Sequence, residues 1–99
     1  MREIKFRAWT GKTMLENVSF ESNTNGVNGV IFLQYTGLKD KNGVEIYEGD
    51  IYQRVYEDKK HYPSQPKLVV EWVVNRFNIR DTDNVEVIGN IYENPELLK

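Results

Sequence analysis

The feature that most constrains the fold is the close spacing of turn signals, which leaves no room for long helices. The stretch TGLKDKNGVEIYEGDI, residues 36–51, contains three glycines. Asp40 can accept hydrogen bonds from the backbone amides of a reverse turn, while Gly43 supplies its left-handed conformation. Gly49 then allows a sharp change of direction, and Asp50 can accept from amides that this second turn leaves unpaired. The stretch therefore predicts two linked turns that carry the chain from one sheet edge to the next.

Short apolar segments between turn signals predict antiparallel β-strands. The first segment alternates apolar and polar residues with a period of two, and the others are rich in β-branched and aromatic residues. Trp72, in the penultimate hairpin, is a candidate core residue, and Asn94 and Pro95 are expected to begin a short C-terminal helical turn. The pattern predicts an all-β barrel or sandwich of antiparallel strands. The predicted strands are residues 2–9, 14–20, 30–35, 51–56, 68–72, 76–79 and 85–92, and two Asn-Gly pairs at 25–26 and 28–29 predict a tight loop.

Length and composition restrict the class of protein. A chain of 99 residues supplies one modest core, so we expect residues 1–99 to form a single domain. The chain has no cysteine, which excludes disulfides, thiolate zinc sites and cysteine nucleophiles. No apolar run approaches the roughly 20 residues of a membrane span, and the N-terminal residues lack the pattern of a signal peptide. We therefore expect a cytoplasmic protein that does not interact with membranes.

The distribution of charge leaves two interpretations open. The formal net charge of −2 argues against a strong non-specific grip on nucleic acid, which requires many cations to neutralise phosphates. Residues 1–13 carry four cations against one carboxylate, whereas residues 81–99 carry five carboxylates against one cation. This asymmetry suits either a charged partner or the pairing of the two ends of the chain across a sheet.

The residues that could carry chemistry have simpler structural explanations. His61 is the only histidine, and it lies in a charged segment typical of an exposed loop. A calcium loop beginning at Asp81 fails, because Glu86 stands where the loop needs glycine. Glu48 and Asp50 could share a cation, but their place in a turn accounts for both. Since no phosphate-binding loop or nucleophile motif is present either, we expect no enzymatic activity, no cofactor and no metal.

On each of two predicted strands, cations and aromatic rings share one side, and these side chains are the candidate binding residues. We call them the first-strand stripe, Lys5, Arg7 and Trp9, and the tyrosine stripe, Tyr52, Arg54 and Tyr56. Aromatic residues interleaved with cations can stack bases and neutralise phosphates. In the structural alternative, Trp9 packs under the C-terminal segment and Arg7 pairs with one of its carboxylates.

Three blocks of sequence, taken in order, resemble the YopX family of phage and prophage proteins. The blocks are REIKFRAW at residues 2–9, QYTGLKDKNGVEIYEGDI at 34–51 and EVIGNIYENPEL at 86–97. The resemblance implies a small SH3-like barrel encoded by a temperate phage or a prophage. It brings no established activity and no catalytic set that could be transferred to this chain.

The expected function is that of a small non-enzymatic interaction module. SH3-like barrels use exposed tyrosines to hold extended peptides, so the tyrosine stripe is a candidate surface for a host or phage protein, or for a second copy of the chain. Exposed strand edges would also favour self-association. The alternative is a weak, salt-sensitive nucleic-acid-binding protein that uses Lys5, Arg7, Tyr52, Arg54 and Tyr56.

Overall fold

In a computed structural model of the chain, nine short β-strands make up most of the secondary structure of the described residues. The structure describes residues 4–18, 30–58, 60–61, 65–73 and 76–99. The prediction of an all-β protein is confirmed, because within these ranges the helical segments are two 3₁₀ turns, Thr82–Asn84 and Pro95–Leu98. The strands are β1 (Phe6–Trp9), β2 (Met14–Val18), β3 (Ile31–Lys39), β4 (Glu45–Tyr47), β5 (Asp50–Arg54), β6 (Leu68–Val69), β7 (Trp72–Val73), β8 (Arg76–Phe77) and β9 (Val85–Asn90).

Some of the sequence predictions lie outside the described residues. They concern the first two residues of strand 2–9, the end of strand 14–20, and the loop with the two Asn-Gly pairs. They also include the bend of the hairpin at residues 74–75.

The strands form three antiparallel sheets, and the prediction of a closed barrel is wrong for the described residues. The sheets have the orders β2-β1-β3-β4, β6-β5-β9 and β7-β8. The interruption lies at Gly49: β4 before it pairs with β3, whereas β5 after it pairs with β6 and β9. Among the described residues, individual backbone hydrogen bonds connect this corner to its neighbours, such as the 2.9 Å bond that the Gly49 amide donates to the carbonyl of Val70. The chain therefore changes sheets where a barrel would continue its ladder.

The predicted turn at residues 40–43 is confirmed, and it also contacts a distant strand. One carboxylate oxygen of Asp40, Oδ1, accepts from the amides of Asn42 and Val44, at 2.8 and 2.9 Å. The other, Oδ2, accepts from the amide of Val87 at 3.0 Å. Gly43 has the predicted positive φ, +80°. One buried carboxylate thus shapes the local turn and attaches it to β9.

The corner at Gly49 and Asp50 also has the predicted local structure. Gly49 adopts φ +87°, in the region that favours glycine. Asp50 Oδ2 accepts from the amide of Tyr47 at 2.8 Å, which pairs an amide that the turn would otherwise leave free. The side of Gly49 that would bear a Cβ lies against the Tyr92 ring and the Leu33 side chain. The corner is therefore restricted by packing as well as by its backbone conformation.

The C-terminal helical turn is a 3₁₀ turn with Pro95 in its first position, as predicted. Asn94 occupies the N-cap position but makes no side-chain cap hydrogen bond. Its Oδ1 accepts instead from the amide of Asn90 at 3.2 Å. This contact attaches the turn to the end of β9.

A hydrophobic cluster joins β4 of the first sheet, the second sheet, the β7–β8 hairpin and the segment after it. Its members are apolar residues with at most 8% of their surface exposed: Ile46, Tyr52, Val70, Phe77, Ile79 and Val85. Leu38 and Val87 pack against its edge. Burial of these side chains is the principal stabilising contribution expected for sheets of this size.

The prediction that Trp72 lies in the core is wrong, since 45% of its surface is exposed. Trp72 pairs across the hairpin with Phe77, and their rings meet edge-to-face with centroids 4.8 Å apart. Phe77, only 8% exposed, occupies the core position on this face. Trp72 covers the outer edge of Phe77 and leaves much of its own ring in solvent.

We expect Gly49→Val to destabilise the protein more than Gly43→Val. Both glycines have positive φ, and forcing another residue into such a conformation costs about 1–3 kcal/mol. A Cβ at Gly49 would also lie 3.1 Å from Tyr92 Cε2, whereas a Cβ at Gly43 would meet nothing within 4 Å. Urea denaturation of both variants separates the cost of backbone strain from the cost of the close contact between a Cβ at position 49 and the Tyr92 ring. Equal losses, or near-wild-type stability of Gly49→Val, would contradict this account of the corner.

We expect Trp72→Ala to cost about 1–2 kcal/mol of unfolding free energy, because only the aromatic contact and half of the ring's burial are lost. Leu33→Ala is the control for a core position, since Leu33 is 2% exposed, and it should cost about 2–5 kcal/mol. Thermal and urea unfolding measure both. A loss at Trp72 as large as that at Leu33 would show that Trp72 is packed as a core residue.

Candidate interaction surface

The first-strand stripe is engaged in contacts within the chain. Lys5 forms an ion pair with Glu45, and its Nζ lies 5.0 Å from the centroid of the Tyr35 ring. Trp9 packs on Tyr92 with ring centroids 6.0 Å apart, in agreement with the structural alternative that placed it under the C-terminal segment. The outward face of β1 is thus largely covered by other parts of the protein.

Arg7 has a different partner from the one expected in the structural alternative. Its Nη2 donates to Asp50 Oδ1, and its Cζ lies 4.4 Å from the centroid of the Tyr47 ring. The predicted pairing with a carboxylate of the C-terminal segment is therefore wrong. The reason is register: Arg7 lies opposite Leu33, and Leu33 itself contacts the Gly49 corner. The Arg7 side chain is only 12% exposed.

Asp50 is a buried carboxylate whose environment favours the protonated form. Burial raises the pKa of Asp50 from 3.8 to about 6, although the Arg7 charge and the Tyr47 amide both act to lower it. The cost of removing the carboxylate from water exceeds what these two partners return. Asp50 thus titrates in a range where an ordinary aspartate is already ionised.

A groove of about 320 Å³ lies beside this pair. It is lined by Arg7, Glu16, Asn17, Val44, Glu45 and Tyr47. The Tyr47 hydroxyl donates to Glu45 Oε1 at 3.2 Å, and Glu16 Oε1 lies 3.7 Å from Arg7 Nη1. The charged groups of the groove therefore mostly face one another.

Tyr47 and Glu45 are both unsuited to proton transfer near neutral pH. Burial, with the nearby Glu45 charge, raises the pKa of Tyr47 to about 12. The hydrogen bond between Lys5 and Glu45 lowers the pKa of the Glu45 carboxyl. Tyr47 therefore stays protonated and Glu45 ionised, which suits a fixed hydrogen bond better than an acid–base pair.

The tyrosine stripe does not form an exposed row. Tyr52 is 4% exposed and belongs to the hydrophobic cluster, because its face of β5 is covered by the hairpin and the segment after it. Arg54 donates to the carbonyls of Asp81 and Arg80, at 2.9 and 3.0 Å, and to Asn84 Oδ1 at 2.7 Å. These bonds hold a turn in which Asp81 has φ +54°. Tyr56 is half-buried.

The surface that the sequence analysis missed surrounds the β7–β8 hairpin. We call it the hairpin surface, and its members are all exposed: Lys67, Leu68, Trp72, Arg76 and Arg80. Leu68 and Trp72 are 41% and 45% exposed. The three cations make no ion pair within the described part of the chain. An excess of cations between residues 65 and 80 was the available signal, but an alternating pattern does not distinguish an exposed Trp72 from a buried one.

Within the described residues, no three His, Asp or Glu side chains are arranged to hold a metal ion. The same residues include no helix with the length and apolarity needed to cross a membrane.

As the pH rises from 4 to 7, we expect the unfolding free energy of the wild type to decrease relative to that of Asp50→Asn. The pKa of Asp50 is higher in the folded protein than its ordinary value, so proton binding favours folding. This contribution is complete below about pH 4 and is lost as the pH rises through about 6. Urea denaturation of both proteins at several pH values measures it. Parallel pH profiles would contradict the raised pKa.

Comparisons with known proteins agree with the resemblance found in the sequence. A family profile described as YopX protein matches residues 12–99. The chain is also similar to a solved structure, the protein EF1440 from Enterococcus faecalis, with 32% sequence identity, complete coverage of both chains and a TM-score of 0.73. No curated protein matches the sequence. Since the profile spans most of the chain, the protein belongs to the YopX family.

Proposed function

We propose that the chain is a non-enzymatic module that binds a protein partner in the cytoplasm of a bacterial host, and that a phage or prophage encodes it. Membership of the YopX family supports the proposed origin. The partner is a host or phage protein, with a second copy of the chain among the candidates. The observation that carries the proposal is the exposure of Trp72 on a two-stranded hairpin.

An exposed tryptophan is a strong candidate for an interface contact. Large aromatic side chains gain the most from removal of water, and tryptophan is enriched among the residues that dominate binding energy. Leu68 adds a second apolar side chain, 41% exposed, on β6. Among the described residues that strand lies at the edge of its sheet, although its Val69 carbonyl already accepts from Asn78 Nδ2 at 3.0 Å. Together these features support binding through apolar contacts and strand edges.

The nucleic-acid alternative has less support from the same structure. It requires cations and rings that can reach phosphates and bases. Lys5, Arg7 and Arg54 each make hydrogen bonds or ion pairs inside the protein, and Tyr52 is buried. Binding through these four residues would require the loss of those contacts.

We expect immobilised wild-type protein to capture specific partners from a bacterial lysate, and Trp72→Ala to lose them. Ile4→Ala is the matched control: Ile4 is an exposed apolar residue, 71% accessible, on a different part of the chain. Cross-linking with mass spectrometry identifies what is captured and where it binds, and size-exclusion chromatography with light scattering detects self-association. Capture and self-association unaffected by Trp72→Ala would contradict the proposed surface.

The same preparations decide the alternative function. Labelled single-stranded oligonucleotides are titrated at two salt concentrations, because phosphate contacts weaken steeply with salt. Under the present proposal no binding appears at low salt. Salt-sensitive binding that Lys5→Ala or Arg54→Ala removes would replace the proposal with the nucleic-acid function.

A further inference from the structure

The hairpin surface is basic in a protein that is acidic overall. Residues 65–80 carry Lys67, Arg76 and Arg80 against one carboxylate, Glu71, which gives a local charge of +2. The whole chain has a formal net charge of −2. A local excess of exposed cations attracts partners of opposite charge.

The cations of the hairpin surface form no ion pair in the described part of the chain. Lys67, Arg76 and Arg80 are all exposed, and none has an ion-pair partner among the residues that the structure describes. Lys5 and Arg7, by contrast, each pair with a carboxylate of their own chain. The hairpin charges are therefore available to a partner without the loss of an existing contact.

The register of the hairpin separates its aromatic and basic side chains onto two faces. Trp72 pairs with Phe77, and their rings are in contact on one face of the ribbon. Val73 pairs with Arg76, which places Arg76 on the opposite face. A ligand that uses both features must therefore present apolar groups to one face and negative groups to the other.

An extended peptide has this alternation. In the described part of the chain β7 pairs only with β8, so its other side can receive an added strand. The side chains of such a strand point alternately to the two faces. Apolar residues at every second position would meet Trp72, and acidic residues between them would meet the Arg76 face.

We propose that the β7–β8 hairpin binds an extended acidic segment of a partner protein, with alternating apolar and acidic residues, added as a strand along β7. This inference rests on the proposed function and names the chemistry of the partner. The backbone of the segment would supply affinity through main-chain hydrogen bonds, and the alternation of its side chains would supply specificity.

The test is selection of peptides from a displayed random 12-residue library on the immobilised full-length protein. Selected peptides should be net negative and should alternate apolar with acidic residues. Binding of the strongest peptide should weaken by about tenfold or more in Arg76→Glu, and with added salt, because both changes remove charge attraction. Trp72→Ala should weaken it to a similar degree. Lys12→Glu, which reverses an exposed cation between β1 and β2, should change it by less than about twofold.

Circular dichroism of each variant shows that the fold is retained, as expected for exposed positions. The proposal of an acidic partner would be overturned if no peptides were selected, if the selected peptides were neutral or basic, or if their binding were insensitive to Arg76→Glu. Binding of a 12-nucleotide oligothymidylate that Arg76→Glu abolishes would assign the hairpin to single-stranded nucleic acid instead. If lysate capture depends on Trp72 while the selected peptides are not acidic, the proposed function stands and this inference fails. If lysate capture does not depend on Trp72 and the selected peptides are not acidic, both the proposed function and this inference fail.

Discussion

The contact between Arg7 and Asp50 holds the two main sheets in one arrangement. Arg7 belongs to β1 in the first sheet, and Asp50 begins β5 in the second. The same carboxylate accepts from the Tyr47 amide, so the end of β4 is attached to this pair as well. A buried ion pair adds little net stability over apolar packing, but its separation is costly. We therefore see its main effect as the orientation of β1 against the Gly49 corner.

Several cations are used in contacts inside the fold, so the cations available to a partner lie elsewhere. Lys5, Arg7 and Arg54, which the sequence presents as a binding surface, are held by acceptors within the chain. Lys67 and Arg76 lie around the hairpin, outside those contacts. The hairpin packs on the second sheet through Phe77 and Ile79 and leaves Trp72 at its outer edge. Apart from Trp72, which also packs on Phe77, the residues that support the fold and those proposed to bind a partner are thus separate sets.

The turns were predictable because their causes are local. Asp40 accepts from amides two and four residues further along the chain, and the positive φ values of Gly43 and Gly49 follow from those turns. The faces of the strands were harder to predict. Alternation indicates that Tyr52 and Arg54 share a side of β5, but it does not indicate which side is covered. Tyr52 is buried by Phe77 and Ile79, which lie more than 20 residues away in the sequence.

The all-β class, the turns at residues 40–43 and 49–50 and the family could be predicted from the sequence, because backbone conformation and short-range hydrogen bonds depend on neighbouring residues. The fold was needed to show that the sheets of the described residues do not close into a barrel, that Arg7 pairs with Asp50, and that Trp72 rather than Tyr52 is exposed. Burial and ion pairing depend on which distant segments meet, and the two partners of the central ion pair are 43 residues apart along the chain.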